Sequence, residues 1–397
     1  MQKAYKLLGK HRHYDWGGRT FLPKLMGLEN VNHLPYAEYW MGTHALAAST
    51  IETIDGEKNL AQLIQDNPTE WLGKEVAAKF KGLPYLYKIL DVQHMLSIQV
   101  HPSKENAIIG FKAEEAKGIS MDAANRNYKD ENHKPEVMVA LSDFWLLHGF
   151  LAPDILEERL NSYSYFKPLV NEFKGANYQN LYAYFMQLPM EATDAILKPL
   201  LEEAANEVAK GTVTKNNPQF WANKYYAEGI PSKNIDKGIF SIYILNIVNV
   251  PKYQGIFQGA GLLHAYLEGQ NIELMANSDN VLRGGLTPKH VDVKELLQHV
   301  NFVPTYPSLL KGDKFTDQEI NYPCPVSDFG ITKIALNKGE VYTISTFSVE
   351  LLLIMDGEVV IEDIAYKAGD TLLLTPNAKV KIKAQTSALL FKSYVPK

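Results

Sequence analysis

One cysteine in 397 residues, Cys324, excludes an intrachain disulfide and suits a reducing compartment. No apolar run is long enough to cross a bilayer, and the opening MQKAYKLLGKHRHYDWGG scatters charge where a secretion signal needs an apolar stretch. The expected location is therefore the cytoplasm, with no membrane partner. A formal charge of only −5 gives no general attraction to nucleic acid or anionic lipid, so an anionic substrate must be held by local lysines and arginines. Neither GxGxxG nor a Walker pattern occurs, and no redox or nucleotide cofactor is signalled. Low-complexity tracts are absent. Histidine is absent from residue 311 to the end, which denies that region a histidine-based metal centre.

What is present is 46% apolar residues in a chain long enough for two or three cores. Tyr5 to Glu57 is broken by Gly, Pro and Asn into short strands and loops. His11 and His13, one strand period apart, read as a partly exposed pair rather than a metal site. Leu60 to Phe80 has helical spacing, with Asn67 and Pro68 opening a second helix. LPYLYKILDVQHMLSIQVHP returns to a period of two. Lys88, in the middle of it, needs a partner or an edge position. Residues 103–127 form a polar excursion with a short helix around Lys112 to Lys117. Leu151 to about Lys237 shows apolar residues three and four apart and predicts a helical domain without concentrated chemistry. GIFSIYILNIVNVPKYQGIF then reads as β, and ELLLIMDGEVVIEDIAYKAGDTLLLTPNAKVKI as strands and turns.

Three segments carry polar faces. In LSIQVHP, strand alternation sends Leu96, Ile98 and Val100 one way and Ser97, Gln99 and His101 the other. In YKDENHKPE it puts Lys134 and Glu136 on one face, with His133 turned away to packing or to assisting ring opening; Pro135 places the segment at a strand start or edge. In GLLHAYLE it aligns His264, Tyr266 and Glu268. Taken singly, these are amphipathic strands with a solvated face. Together, two imidazoles, a carboxylate and an amide oxygen match a zinc-like ion with an open position. His148, set in VMVALSDFWLLHGF, reads as a satisfied core histidine.

LSIQVHPSKENA, NHKPE and HAYLEGQNIELMANSDNVLRGGLTPK, with YDWGG and AEYWMGTH nearer the N-terminus, resemble the signatures of the type I phosphomannose isomerases. The resemblance covers nearly the whole chain, departing only after the Trp of YDWGG and after Gly42. It implies one zinc ion per chain, with ligands at Gln99, His101, Glu136 and His264. It also implies a mainly β fold with α, in which cupin-like jelly-roll domains are interrupted by an inserted helical domain. On that layout residues 1–150 and 238–310 form the catalytic domain, 151–237 the insertion, and 311–397 a C-terminal cupin-like structural domain. The implied reaction is D-mannose 6-phosphate to D-fructose 6-phosphate through an enediol. The resemblance further places Lys88 near the substrate and Arg283 in the active site.

A cation held by two neutral imidazoles, one amide and one carboxylate keeps most of its charge and can act as a Lewis acid. Aldose to ketose exchange also needs a base for the proton beside the carbonyl. Lys134 and Glu273 are equal candidates, since a lysine close to a metal ion is pushed toward its neutral form. Arg283, before the Gly284-Gly285 turn, and Lys289 are candidates for the anionic end of the substrate or the enediol charge. Ser97 and Tyr266, on the ligand-bearing faces, join Lys88 and Lys289 as expected substrate contacts. The partner is a small sugar phosphate, and a monomer is expected. Two other readings use the same ligands: a sugar sensor without catalysis, and a metal-dependent hydrolase or oxygenase on a related barrel.

Overall fold

In the computed structural model of the protein, which describes residues 2–397, the longest strand is His264–Ala276, and it changes partners along its length. Its first part pairs with Phe144–Phe150 and, at His264, with Gln99. From Gly269 onward it lies between Tyr85–Val92 and Glu136–Ala140. Gly269 permits the change, because its φ of +125° suits glycine and a Cβ there would lie 2.8 Å from the Phe144 ring. The antiparallel sheet around this strand has ten members among the described residues, from Leu245–Val250 at one edge to Lys10–Arg12 at the other. Side-chain alternation divides its faces: Ala265 and Leu267 pack with the helices, while Tyr266 joins Leu90, Met138 and Ala140 on the opposite side. Pro135 stands just before the strand Glu136–Ala140, where its missing N–H costs no ladder bond.

Helices from Pro153–Ser162 to Pro218–Tyr225 pack Leu156, Leu181, Phe185, Leu200 and Trp221 into one cluster with Val100 of the sheet and the adjoining Ile98. GIFSIYI, expected as β, is instead the helix Gly238–Ile244, and the strand begins only at Leu245. Every residue of that helix is buried, so no exposed face marks a 3.6-residue period. The short helix expected around Lys112 is a 13-residue helix, Lys104–Ala116, capped by Ser103. Its anchor is polar: the Glu114 carboxylate accepts from the Asn127 and Tyr128 amides and pairs with Arg126. Apolar spacing cannot report such a contact.

The eight strands from Gly330–Leu336 to Ala388–Tyr394 divide between two sheets in jelly-roll order. Leu351 and Leu353 face the first half of the protein, and Leu352 and Ile354 face the second sheet of the roll. Burial on both faces is why ELLLIMD reads as an unbroken apolar run. The N-terminal strand Ala4–Leu8 departs from the expected division of the chain. It pairs with Thr371–Leu374 of the jelly roll and with Thr50–Thr53, so part of residues 1–150 completes the C-terminal sheet. Its alternating burial is that of any strand, and alternation carries no information about the partner.

Glu350 supplies a test of this region. Burial pushes its carboxyl up to about 7 from an ordinary 4.5, although Lys392 sits 3.3 Å away. The folded chain therefore keeps a proton that the unfolded chain releases across that window, and stability falls as pH rises through it, then levels off. Glu350→Gln is expected to raise Tm at about pH 8 and leave it nearly unchanged at about pH 4. Parallel Tm against pH curves for parent and variant would refute this.

Candidate metal centre and substrate cavity

His101, Glu136 and His264 arrive from three separate segments, all of them buried, and their ligand atoms lie within 4.8 Å of one another. His101 Nε2 is 3.3 Å from Glu136 Oε1, and His264 Nε2 is 3.3 Å from Oε2 of the same carboxylate. The far nitrogens are committed: His101 Nδ1 donates to the Asn280 carbonyl at 2.8 Å and His264 Nδ1 to that of Leu262 at 2.9 Å. A carbonyl only accepts, so each Nδ1 carries the proton and each Nε2 of a neutral ring presents a lone pair to the carboxylate. Burial, and then the Lys134 charge, lower His101 to about 4, which makes its imidazole neutral at pH 7. His101 Nε2 accordingly has no hydrogen-bond partner. Facing acceptors in a buried site call for a cation between them. Two ligand atoms sharing a tetrahedral zinc at about 2.1 Å lie roughly 3.4 Å apart, close to the observed contacts, so the residues fit the ion.

Gln99 is set beside this group by the sheet. It is directly opposite His264 on one side and Arg283 on the other. Directly opposed residues of antiparallel strands share a face, so Arg283 stands on the ligand face. Its guanidinium is half-buried, and burial lowers its pKa. Among the described residues no carboxylate forms an ion pair with it. Lys289 is exposed, and partial desolvation, then the charge of the nearby Arg283, lower it as well. His148 continues the row opposite His264, yet it bonds the Phe257 carbonyl at 3.2 Å and lies outside the ligand cluster. His11 and His13 pack against Tyr36, remote from any such cluster.

The same face carries a line of alternating charge. Lys88 Nζ is 2.9 Å from Glu273 Oε2, and Lys134 Nζ is 3.0 Å from Glu136 Oε1. Burial pulls the Lys88 ammonium toward neutrality, but Glu273 and Glu38 outweigh it and hold the group charged. Burial likewise raises Glu136, and the Lys134 charge beside it leads the influences that more than reverse this, so its carboxyl stays well below the usual range. These side chains, with Gln99, Tyr266, Leu90 and Leu96, line a partly open cavity of about 80 Å³.

Several expectations change here. Alternation assigns Leu96 to the core face, yet it lines the cavity, while Ser97 and Lys289 do not. The strand at LSIQVHP is only Gln99–Val100, too short to impose strict alternation on residues before it. Glu268 leaves the line of His264 and Tyr266, because a bulge intervenes and its carboxylate pairs with Lys215 and Lys224 of the helical region. His133 turns away from Glu136, as its alternation requires, and meets Asp328 at 3.0 Å.

Two features escape the sequence reading. Glu38 lines the cavity, accepts from the Trp40 indole and is raised chiefly by burial. A glutamate in the buried strand Glu38–Met41, within the AEYWMGTH segment, is the available signal. Asp279, an exposed residue 3.2 Å from His44, is partly desolvated, but that ring and the charges of Lys134 and Lys88 outweigh this and hold it low.

Comparison with known proteins extends this picture. The sequence model of the family described as Phosphomannose isomerase type I, catalytic domain, matches residues 4–152. The mannose-6-phosphate isomerase of Salmonella typhimurium is 37% identical, covering 96% of this chain and 95% of that protein; that of Escherichia coli is 35% identical, covering 98% and 97%. A solved mannose 6-phosphate isomerase in its zinc-bound holo form is 33% identical, with a TM-score of 0.88 and full coverage of both chains. The Salmonella typhimurium enzyme bound to its substrate fructose 6-phosphate and to zinc gives 0.87, again at 33% identity and full coverage.

Proposed function

The chain belongs to the type I phosphomannose isomerases, and from that premise we propose that Gln99 completes its metal site and that Glu273, Lys134 and Arg283 divide the chemistry. The reaction is the interconversion of mannose 6-phosphate and fructose 6-phosphate, and the cofactor is zinc, with His101, Glu136 and His264 at its site. The observation that carries the chemistry is the pair of imidazole lone pairs facing one buried carboxylate. Zinc there supplies Lewis acidity toward a sugar oxygen.

The chain's own residues must then move a proton between adjacent carbons. Glu273 is the base in this reading: a carboxylate can accept the proton directly, and its contact with Lys88 fixes its position in the cavity. Lys134, an ammonium beside Glu136, donates to the oxygen on which negative charge develops. Arg283, a half-buried cation on the ligand face, holds the anionic end of the substrate, with Lys289 at the rim. Tyr266 closes the wall of the cavity, and Ser97 contacts the sugar only where it extends beyond that wall. The helical region 151–237 is an insertion between the two parts of the catalytic domain, 1–150 and 238–310, and 311–397, without histidine, is a structural domain whose sheet is completed by strands of the N-terminal part. Among the described residues no helix is long and apolar enough to cross a membrane, and we read the protein as a cytoplasmic monomer.

Arg283→Ala is expected to lower kcat/KM by roughly two powers of ten. A phosphate anchor shows the loss mainly in KM and narrows the preference for mannose 6-phosphate over mannose. If both constants stay within about twofold of the parent with zinc bound, Arg283 is an ordinary turn residue. The whole reading is tested by a coupled assay for fructose 6-phosphate with metal analysis of the same sample.

A further inference from the structure

The turn that follows Arg283 is held by the helical region, and by one carboxylate above all. Gly284 N donates to the Ile98 carbonyl at 2.8 Å, and Ile98 N to that of Gly285 at 3.0 Å, so the turn starts from the strand that carries Gln99. Beyond it the backbone leaves the ordinary regions: Gly285 has φ +114° and Leu286 φ +53°. Leucine adopts a left-handed conformation only where its surroundings impose one. Here the imposing group is Asp236. Its Oδ1 accepts from Leu286 N at 2.8 Å and from Gly238 N at 2.7 Å, and its Oδ2 accepts from Thr287 N at 2.9 Å.

The two turns also meet backbone to backbone. A Cβ on Gly285 would lie 2.5 Å from Gly238 Cα, and one on Gly238 would lie 2.4 Å from Leu286 N. The segment bearing Asp236 is itself fixed to the helices. Asp236 N donates to the Tyr226 hydroxyl at 2.9 Å, and Asp194 accepts from the amides of Asn234 and Ile235 at 2.9 and 2.8 Å. Lys237 Nζ donates to the carbonyls of Met186 and Leu188 at 2.8 and 2.6 Å.

We propose that Asp236 is a positioning residue for Arg283, its carboxylate holding residues 284–287 in the conformation that aims the guanidinium at the anionic end of the substrate. The inserted helices thereby set substrate selection as well as covering the sheet. This rests on the reading of Arg283 given above.

Asp236→Asn keeps the side-chain size but turns an amide N–H toward a backbone donor. It is expected to lower kcat/KM for mannose 6-phosphate about tenfold or more, mainly through KM, with zinc retained. Amide hydrogen exchange at Leu286 and Thr287 should accelerate in the holoenzyme. In an Arg283→Ala background the same substitution should cost less than about twofold further. Full additivity of the two substitutions, or an unchanged kcat/KM with accelerated exchange, overturns the proposal. If Arg283→Ala is silent, the reading of Arg283 falls and the positioning role with it, whereas slow exchange that depends on Asp236 would still register the contact. Should Asp236→Asn fail to fold, Asp236→Glu keeps the charge and moves it by one methylene. That variant is expected to show the same KM-weighted loss, about threefold or more, and parental constants would count against the proposal.

Discussion

Glu136→Ala will strip zinc from the protein and lower kcat/KM by roughly three powers of ten or more. The carboxylate is the one anion in the proposed set of four, and each of its oxygens faces an imidazole nitrogen 3.3 Å away. Without it the ion would rest on neutral donors alone, beside the Lys134 ammonium that Glu136 now balances at 3.0 Å. That lysine is 8% exposed, so its charge would be left buried and unpaired, repelling a divalent cation and destabilising the fold. Glu136→Gln, which keeps shape but not charge, should fall between parent and Glu136→Ala in zinc affinity. Zinc analysis and turnover on one preparation check this. A Glu136→Ala protein with a full complement of zinc would remove the carboxylate from the site.

Glu273→Gln carries the second large effect, a fall in kcat of about two to four powers of ten with zinc and KM little changed. Glutamine fills the same space but cannot take a proton, and Lys88, buried beneath the Trp40 ring at 5.0 Å, loses its nearest counter-ion. Exchange of the substrate's migrating hydrogen with solvent should fall in step with turnover, because both need the same proton acceptor. If Glu273→Gln keeps kcat within about tenfold while Lys134→Met abolishes exchange, the base is Lys134.

Much of the site was legible because strand alternation is a strong local signal where a strand is long. His264 and Tyr266 fall as alternation places them, and Pro135 marks the start of the strand that carries Glu136. Legibility ended where backbone geometry departed from the ideal. The bulge after Tyr266 sends Glu268 to the helices, and the brevity of Gln99–Val100 frees Ser97 from the cavity wall. Glu38 stayed hidden because a lone glutamate between aromatics gives no spacing to count. The fold failed to show through at two points for related reasons. GIFSIYI is buried on all sides and has no polar face to reveal its period, and Ala4–Leu8 finds its partner hundreds of residues away in the strand Thr371–Leu374. Asp236 illustrates the same limit: nothing local distinguishes it from other aspartates, and its role comes from the Leu286 and Thr287 amides of one distant turn, joined by the nearby Gly238 amide.

The central claim is that one buried His-Glu-His cluster holds the zinc on which the isomerase reaction depends. Removing metal with a strong chelator and adding zinc back in steps, with fructose 6-phosphate formation followed throughout, tests it most directly. Activity is expected to disappear on chelation and to return linearly with added zinc, reaching its plateau at about one ion per chain. A metal-free protein that turns over at the parental rate, or a plateau reached only at two ions per chain, would contradict it.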